Sequence, residues 1–474
     1  MRGARALAAL SVLGIAGCAV GPDYRRPEVT TPAAFGEIST RPDPSQVKPE
    51  PVAATWWTSF DDQLLASLVE RAIGGNLDVR QAEARVREAR ASRRIAASEL
   101  WPQVGSSGSY ARERTSKNGI GVDPGHSFDL YQVGFDAAWE LDVFGGIRRG
   151  VEAAEAGIAA AEADRDAVLV SLMAEVGLEY VTYRSLQQRI LLANDNLKVQ
   201  EATRDLTRRL LSSGLAPELD VTRAEAQVAT TAATIPILEQ QGAQAMHRLS
   251  VLLGQPPMAL AEELAPVGPI PVAPATVSVG MPSELLLRRP DVARSERVLA
   301  AATAQIGVAR RDLFPRFFIT GVAGLQSLHA SDLFDWESRL ASIGPSITWP
   351  VFQGGAIRAN IALKTETREE FLAAYQGVVL QAFQDVEDAL VAFSRQQTTR
   401  ARLEDAVRAD RRSAELARTL YAQGLTDFLT VLDAERSLFL SQDTLAQSQR
   451  DVALDLVALY KAVGGGWESV PAVQ

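Results

Sequence analysis

The chain has 474 residues, and its 48 lysines and arginines against 58 aspartates and glutamates give a formal net charge of −10. A hydrophobic content of 47% and a charged content of 22% exclude a disordered chain. The acidic balance argues against a nucleic-acid partner, because phosphates need clustered lysine and arginine. One cysteine and three separated histidines exclude a disulfide framework and a cysteine zinc site.

Residues 1–17 are predicted to be a signal peptide. They begin with two arginines and continue with an apolar run of about ten residues, which is too short to span a bilayer. The small residues before Cys18 resemble a bacterial lipobox, so Cys18 is predicted to carry lipid. An ordinary secretory signal with an incidental cysteine is the alternative. Ala19, directly after the cysteine, resembles an outer-membrane sorting signal.

The same unit occurs twice in the chain, at a spacing of 210 to 213 residues. Leu100-Trp101-Pro102 corresponds to Leu313-Phe314-Pro315, and Gly214-Leu215 corresponds to Gly424-Leu425. Chance does not produce an ordered series of such matches, so the sequence predicts a duplication. Each copy is expected to contain a helix, two strands, a very long helix, a tight turn and a further helix.

The predicted divisions of the chain follow from these copies and from two proline-rich segments, where extended chain is expected. They are the signal peptide at 1–17, an extended arm at 18–60, repeat 1 at 61–255, a connector at 256–280, repeat 2 at 281–464 and a tail at 465–474.

Two stretches without interior proline, about 146–212 and 356–423, are predicted to be very long helices. At ~1.5 Å per residue each would extend about 100 Å, and helices of that length need a bundle or a coiled coil. A glycine follows each helix and is predicted to form a left-handed cap that reverses the chain. The two hairpin tips are Gly214, Leu215, Ala216, Gly424, Leu425 and Thr426.

The strands, predicted at about 103–142 and 316–351, indicate a membrane-facing sheet. Residues 131–141 alternate apolar and polar side chains over about eleven residues, close to the ~9–11 of a membrane-crossing strand. Residues 342–349 repeat the alternation in the second copy. A half-buried strand of a soluble sandwich is the alternative. The side chains predicted to face lipid are Tyr131, Val133, Phe135, Trp139, Ile343, Ile347 and Trp349.

Four strands are too few to close a barrel, because the smallest membrane barrels use about eight. Several copies of the chain are therefore expected to pool their strands around an axis, eight from a dimer or twelve from a trimer. The paired long helices would then pool into a helical tube.

Four motifs resemble the TolC-like outer-membrane efflux factors, in the branch that includes OprM and NodT. They are the lipidated start at 18–24, the strand-to-helix signature at 139–145, the tip motif at 432–438 and the C-terminal motif at 459–467. The resemblance covers essentially the whole mature chain. Glu435 departs from the family pattern, since relatives often carry glutamine there.

The resemblance implies a mixed α and β fold in which three copies form a 12-stranded transmembrane β-barrel. A 12-helix periplasmic α-barrel would continue it, and the connector would lie in an equatorial girdle. It also implies an outer-membrane location with extension into the periplasm. The implied partners are a periplasmic adaptor and an inner-membrane pump, expected to be proton-driven.

Charges after the second tip suggest a gate. Leu429, Asp433 and Arg436 stand at i, i+4 and i+7, so they share one helix face. An ordinary solvated ion pair is the alternative reading of this spacing. In the resembling family these positions constrict the periplasmic mouth. Arg223 is the duplicate of Asp433, and opposite charges on neighbouring hairpins are expected to pair.

The sequence contains no phosphate-binding loop, zinc-protease motif or nucleophile elbow, so no catalytic, cofactor-binding or metal residue is predicted. The carboxylates Asp385, Glu387 and Asp388 are interpreted as a solvated helix face, with a cation-selecting pore lining as the alternative. The predicted function is a passive exit duct of a three-part efflux system, whose one attached group is lipid on Cys18. A structural coiled-coil protein of the envelope and a secreted enzyme are the other classes considered. The sequence leaves open the exported substrate, the particular pump and the resting state of the channel.

Overall fold

The computed structural model describes residues 19–36, 46–48, 50, 53–118, 125–274 and 276–472. The predicted signal peptide and Cys18 lie outside the described residues, as do residues 119–124 between the first two strands. Helices and strands are both present, which confirms the mixed α and β class. None of the helices in these ranges is long and apolar enough to cross a membrane.

The described residues form nine α-helices and six β-strands. The helices are α1 (Gln63–Gly75), α2 (Leu77–Ser98), α3 (Gly146–Ser212), α4 (Glu218–Leu252), α5 (Ala261–Leu264), α6 (Pro282–Arg288), α7 (Pro290–Arg311), α8 (Ala356–Ala422) and α9 (Phe428–Ala462). The strands are β1 (Gln46–Lys48), β2 (Gln103–Arg114), β3 (Ser127–Leu141), β4 (Thr276–Ser278), β5 (Arg316–Ser327) and β6 (Arg339–Thr348).

The duplicated order of elements is confirmed by helix lengths and strand register. The long helices α3 and α8 each have 67 residues, and the returning helices α4 and α9 each have 35. Gln103 lies opposite Ala138 in the first strand pair, and Arg316 lies opposite Thr348 in the second. The first strands of the pairs are thus 213 residues apart, and the second strands are 210 apart.

Contacts divide the chain into two compact units, and each unit draws on both repeats. One unit contains the described part of Met1–Glu28 with Arg85–Ala161 and Arg294–Gln376. The other contains the described part of Val29–Ala84 with Glu162–Ala293 and Gly377–Gln474, less residue 275 and the last two residues. The compact units therefore differ from the consecutive repeats predicted along the sequence.

The first unit contains an antiparallel sheet with the strand order β2-β3-β5-β6. The central pair, β3 and β5, joins the two repeats, and Trp139 lies opposite Ile319 there. Within the described residues β2 and β6 have no strand on their outer sides, so the sheet has two open edges. Strand β3 begins four residues before the predicted alternating stretch at 131–141, and β6 ends at Thr348, so Trp349 lies just beyond it.

The predicted lipid-facing residues other than Trp349, which lies beyond β6, share one face of this sheet. Residues opposite each other in an antiparallel ladder point to the same side, and the register aligns their positions. Tyr131 lies opposite Tyr110 with the ring centroids 4.9 Å apart. Phe135, Ile343 and Ile347 are exposed within the chain, so this face is an uncovered apolar surface.

Two tryptophans anchor equivalent ends of the strand pairs. The Trp139 indole donates a hydrogen bond to the Leu100 carbonyl at 2.9 Å, and the Trp349 indole donates to the Leu313 carbonyl at 3.2 Å. Each carbonyl belongs to the residue two positions before the Pro that precedes a strand. The match shows that the duplication extends to individual hydrogen bonds.

The arm and the connector form more structure than was predicted for them. In the second unit β1 pairs in parallel with β4, and Val47 lies opposite Val277. The connector also contains the four-residue helix α5. Trp56 stacks on Tyr460 with the centroids 5.3 Å apart, and this pair belongs to the buried core of the same unit.

Candidate functional site

The two hairpin tips have the same backbone geometry, and the predicted left-handed caps are confirmed. Gly214 and Gly424 each have a φ of 73°. The Leu215 amide donates a hydrogen bond to the Leu210 carbonyl at 2.8 Å, and the Gly214 amide donates one to the carbonyl of the residue after Leu210. These two hydrogen bonds form the Schellman pattern. The second tip repeats both bonds through Leu420 and Tyr421. A side chain at either glycine would meet open space, so only the positive φ requires glycine.

Each tip presents one apolar side chain to the surface. Leu215 and Leu425 are exposed, whereas Ala216 and Thr426 are partly buried beside them. The second tip also has a side-chain cap, because Asp427 accepts from the Thr430 amide and hydroxyl. These bonds hold the pKa of the Asp427 carboxyl below its usual value, with a smaller effect from Arg223. The tips are thus two surfaces of nearly equivalent backbone geometry in one chain.

Three of the predicted gate residues lie on α9, just after the second tip. Leu429, Asp433 and Arg436 are all exposed on α9. The Arg436 guanidinium donates to Oε1 of Gln227 on α4 at 3.1 Å. Among the described residues no ion pair joins Asp433 to Arg436 within the chain.

A buried carboxylate near the tips was missed by the sequence reasoning. Glu435 on α9 is 4% exposed, and its Oε1 accepts from Nε of Arg418 on α8 at 2.7 Å. The same oxygen accepts from the Thr203 hydroxyl on α3 at 3.0 Å. One carboxylate therefore joins three helices from both repeats. The departure from glutamine at this position was a signal, but the sequence did not show that the residue is buried.

The first repeat contains the equivalent pair in a more open setting. Arg208 donates from Nη2 to Glu225 Oε1 at 2.5 Å, and both residues stand 210 positions before Arg418 and Glu435. Here both side chains are about half exposed. Because water screens an exposed pair, the two equivalent ion pairs are expected to differ in their contribution to stability.

Further along the hairpins a second ion pair joins the repeats. Arg189 on α3 donates to both carboxylate oxygens of Asp443 on α9, at 2.6 and 3.1 Å. Gln447 donates to the same carboxylate at 2.7 Å. A bidentate arginine contact fixes orientation as well as distance. It is the second side-chain contact described between α3 and α9.

The carboxylates considered as a possible cluster have structural partners. Asp385 pairs with Arg289 at 2.9 Å and accepts from Gln381, while Glu387 accepts from the Gly36 amide at 2.6 Å. Across the described residues no group of three or more histidine, cysteine, aspartate or glutamate side chains could hold a metal ion. These contacts favour a structural reading of the cluster over a pore lining.

The family model described as outer membrane efflux protein matches residues 68–255 and 281–465, and the chain belongs to this family. Nodulation protein T of Rhizobium leguminosarum bv. trifolii is 33% identical over 464 residues, covering 96% of each chain. Outer membrane protein OprJ of Pseudomonas aeruginosa is 31% identical, covering 97% of this chain and 95% of OprJ.

Solved structures agree with this assignment. The outer-membrane channel OprN superposes with a TM-score of 0.89 at 38% identity, over 95% of this chain and 100% of that one. The open state of the Neisseria gonorrhoeae MtrE channel gives a TM-score of 0.83 at 29% identity, over 95% and 99%. The chain is therefore an efflux channel protein of the bacterial outer membrane.

The two equivalent ion pairs provide a matched test. Arg418→Ala would leave the Glu435 carboxylate buried with the Thr203 hydroxyl as its remaining partner, which should cost on the order of 3 kcal/mol. Arg208→Ala removes the equivalent but half-exposed pair and should cost about 0–1 kcal/mol. The measurement is the denaturant midpoint of each purified variant in detergent. Equal losses of stability in the two variants would show that burial does not determine how much each ion pair contributes.

Proposed function

We propose that three copies of this chain form a channel in which 12 strands close a β-barrel in the outer membrane. Twelve long helices, four from each copy, would continue it as an α-barrel in the periplasm. The open-edged sheet is the main support, because its strands alternate in direction and β6 therefore runs opposite to β2. An added copy can extend such a ladder. About eight strands leave an interior filled by side chains, so a conduit needs more.

The two faces of the sheet also support the proposal. The predicted lipid-facing side chains of the strands share one face and are apolar, while the opposite face carries Gln132 in β3 and Ser342 and Ser346 in β6. A barrel in lipid needs an apolar exterior, and a water-filled interior needs polar side chains. The channel would be a passive duct without catalysis.

The sheet faces can be tested at adjacent residues of β6. Ile343→Lys puts a charge on the proposed lipid face and should cost about 2–4 kcal/mol near the middle of the bilayer. Ser342→Lys puts the same charge on the opposite face and should fold normally while changing ion selectivity. Folded yield in the outer membrane and single-channel current measure the two effects. If both variants fold equally well, the assignment of the faces is wrong.

Lipid on Cys18 is proposed as a second membrane anchor. The residues that follow it are held beside the end of β3, where the Val20 amide donates to the Phe144 carbonyl at 2.9 Å. Arg149 donates to the Val20 carbonyl at 3.2 Å and to Asp23 at 2.6 Å. A chain start fixed at the strand-to-helix junction suits a lipid at the membrane boundary.

Replacing the cysteine tests the anchor. Cys18→Ser should abolish incorporation of labelled palmitate and should block cleavage after residue 17, because the thiol is the acceptor of the lipid. Mass spectrometry of the purified protein reads both effects. Labelling of the variant at the wild-type level would exclude Cys18 as the lipid site.

We further propose that the tips bind a periplasmic adaptor, through which an inner-membrane pump delivers substrate. Relatives include the probable efflux pump outer membrane protein SepC and the toluene efflux pump protein TtgF of Pseudomonas putida, each 32% identical over 471 residues. The adaptor and pump are expected to select the substrate, with the pump driven by protons. Two equivalent tips per chain give six in a trimer, which matches a six-fold ring of adaptors.

Crosslinking tests the contact with the adaptor. Ala216→Cys and Thr426→Cys, made separately, should each crosslink to an adaptor in intact cells, because each residue lies at a tip beside an exposed leucine. Ser413→Cys, about two helical turns before the end of α8, is the control and should crosslink less. Adaptor capture by the control but by neither tip would contradict docking at the tips.

The gate is proposed to consist of Leu429, Asp433, Arg436 and Arg223. Gln227 is proposed as a further member, because its hydrogen bond with Arg436 joins α9 to α4 and so links the two hairpins. Three copies of Leu429 around an axis would form an apolar constriction that resists wetting. Exposed Asp433 side chains would repel one another there unless an arginine of another hairpin lies nearby.

Conductance tests the gate. Asp433→Ala with Arg436→Ala should raise single-channel conductance and admit large antibiotics such as vancomycin, because it removes a link of up to about 1.5–3 kcal/mol. High salt should narrow the difference if charge repulsion and pairing hold the gate. Arg402→Ala with Asp405→Ala removes the exposed ion pairs of Asp405 with Arg402 and Arg408 on α8 and should leave conductance unchanged. An unchanged conductance in the tip variant would remove these residues from the gate.

A further inference from the structure

The apolar face of the four-stranded sheet has charged side chains at one end only. Strand register and side-chain alternation assign each residue of β2, β3, β5 and β6 to a face. On the face of Val133 and Phe135 the charged residues are Arg112, Arg114, Asp129 and Arg339. All four lie where the strands meet the two hairpin loops. The opposite face carries charges along its length, at Glu113, Asp136, Glu140 and Arg316.

The duplication places these charges at one level of the sheet. Asp129 and Arg339 are 210 positions apart, as are Trp139 and Trp349, so each charged residue stands ten positions before the tryptophan of its own repeat. Arg112 lies opposite Asp129. Ten residues at ~3.4 Å each, in a strand tilted by about 40°, span about 26 Å along a barrel axis. The apolar band of a membrane barrel is about 25 Å tall, so the charges are expected at its edge.

Aromatic side chains lie beside the charges. Tyr110 and Tyr131 are two positions closer to the middle of the sheet, and the Tyr110 hydroxyl donates to the Asp129 carboxylate at 3.0 Å. The Arg339 guanidinium lies over the Trp336 ring, and its Nε donates to the Trp336 carbonyl at 2.7 Å. Aromatic residues are typical of the two boundaries between a membrane barrel and water. This end of the face thus has the composition of a membrane boundary.

The positive charge at this end is not balanced. The Arg112 side chain is 71% exposed, and Asp129 lies 3.9 Å from it. Arg114 and Arg339 are exposed, and within the described residues no ion pair joins either of them to a carboxylate. Three arginines against one aspartate leave a net charge of +2 on this face of each chain. The nearby carboxylates of the second hairpin belong to its loop, at Asp332, Asp335 and Glu337.

We propose that a basic patch of Arg112, Arg114 and Arg339 binds the phosphate groups of lipid headgroups in the outer leaflet of the outer membrane. Arginine presents a planar fork of donors that matches a phosphate. Basic side chains at the edge of a membrane-spanning segment are suited to anionic headgroups. The outer leaflet of bacterial outer membranes contains phosphorylated glycolipid at this level. The proposal rests on the barrel proposed above, which places the hairpin loops outside the cell.

The proposed barrel also sets the number of patches. Arg112 and Arg114 lie on β2 and Arg339 lies on β6, and these strands are the two edges of the sheet in one chain. Closing the barrel would bring the arginines of one edge toward those of the other edge on the next copy. A trimer would then carry three patches of three arginines each.

Removing the arginines tests the patch. The variant Arg112→Ala with Arg114→Ala and Arg339→Ala, purified in a neutral detergent, should bind bisphosphorylated lipid A at least about tenfold more weakly than the wild type, because charge-assisted hydrogen bonds are lost. Titration followed by native mass spectrometry gives the affinity and the number of bound lipids. Arg112→Ala with Arg114→Ala alone keeps the contact of Arg339 with Trp336. It provides the same test if the triple variant folds poorly.

Two further variants separate this patch from a general effect of charge. Arg402→Ala with Arg408→Ala and Arg411→Ala removes three arginines from exposed positions of α8 and should bind the lipid as the wild type does. An equal loss of affinity in this control would overturn the proposal.

Arg112→Lys with Arg114→Lys and Arg339→Lys keeps the charge but removes the planar fork. Its affinity should lie between those of the wild type and the alanine variant. High salt should weaken lipid binding to the wild type, because the patch is exposed and its charges are screened.

The ligand can be divided into its phosphate and its lipid part. Lipid A without phosphate should bind the wild type weakly, and an affinity that does not depend on phosphate would overturn the proposal. Excess inorganic phosphate should displace little bound lipid A, because the acyl chains lie against the apolar band. Complete displacement by inorganic phosphate would show a site for free anions and would overturn binding of the headgroup.

Single-channel current from the same preparations separates this proposal from the proposed function. A channel of normal conductance that binds lipid A equally with and without the three arginines would overturn the patch and leave the channel standing. A chain that neither enters the outer membrane nor conducts would overturn the proposed function, and with it the level assigned to the arginines.

Discussion

Backbone hydrogen bonding at the two edges of the four-stranded sheet is the constraint on which the rest of the molecule depends. Within the described residues, β2 and β6 leave their outer rows of amide and carbonyl groups without a strand partner. Lipid supplies no donors or acceptors, so each unpaired group placed there costs several kcal/mol. In a bilayer, a sheet with two open edges would therefore need a further strand at each edge, which the proposed association of copies would supply. Its alternating strand directions make another copy a suitable partner.

The long helical hairpins also depend on contacts with neighbouring helices, and side chains of the two repeats provide some of these contacts. A helix of 67 residues cannot bury its apolar positions alone, so α3 and α8 depend on neighbours along their length. Glu435 and Asp443 on α9 each bond to a residue of α3. The Glu435 contact is buried, and such contacts are costly to break from one side. Near the tips, the hairpins are held as a pair and not as two separate helical arms.

Duplication supplies the same backbone twice, and the side chains have since diverged in the two copies. Asn76 donates to the Leu252 carbonyl at 2.9 Å, and Arg289, in the equivalent place, donates to the Ala462 carbonyl at 3.1 Å. Two different residue types thus satisfy the same kind of group at the end of a returning helix. Because Arg289 also reaches Asp385, repeat 2 gains an ion pair at this end of the helix. Equivalent positions can therefore serve different neighbours.

The sequence by itself determined the order of the elements, the family and the duplication. These follow from local signals: strand alternation, long proline-free stretches, and glycines such as Gly214 and Gly424 whose positive φ few other residues adopt. It also gave the face of the sheet to which Phe135 and Ile343 belong, since side-chain period is a local property. The tertiary structure decided which side chains meet. In the tertiary structure Arg436 bonds to Gln227 instead of Asp433, and Glu435 is buried. Both contacts depend on how helices far apart in sequence pack together.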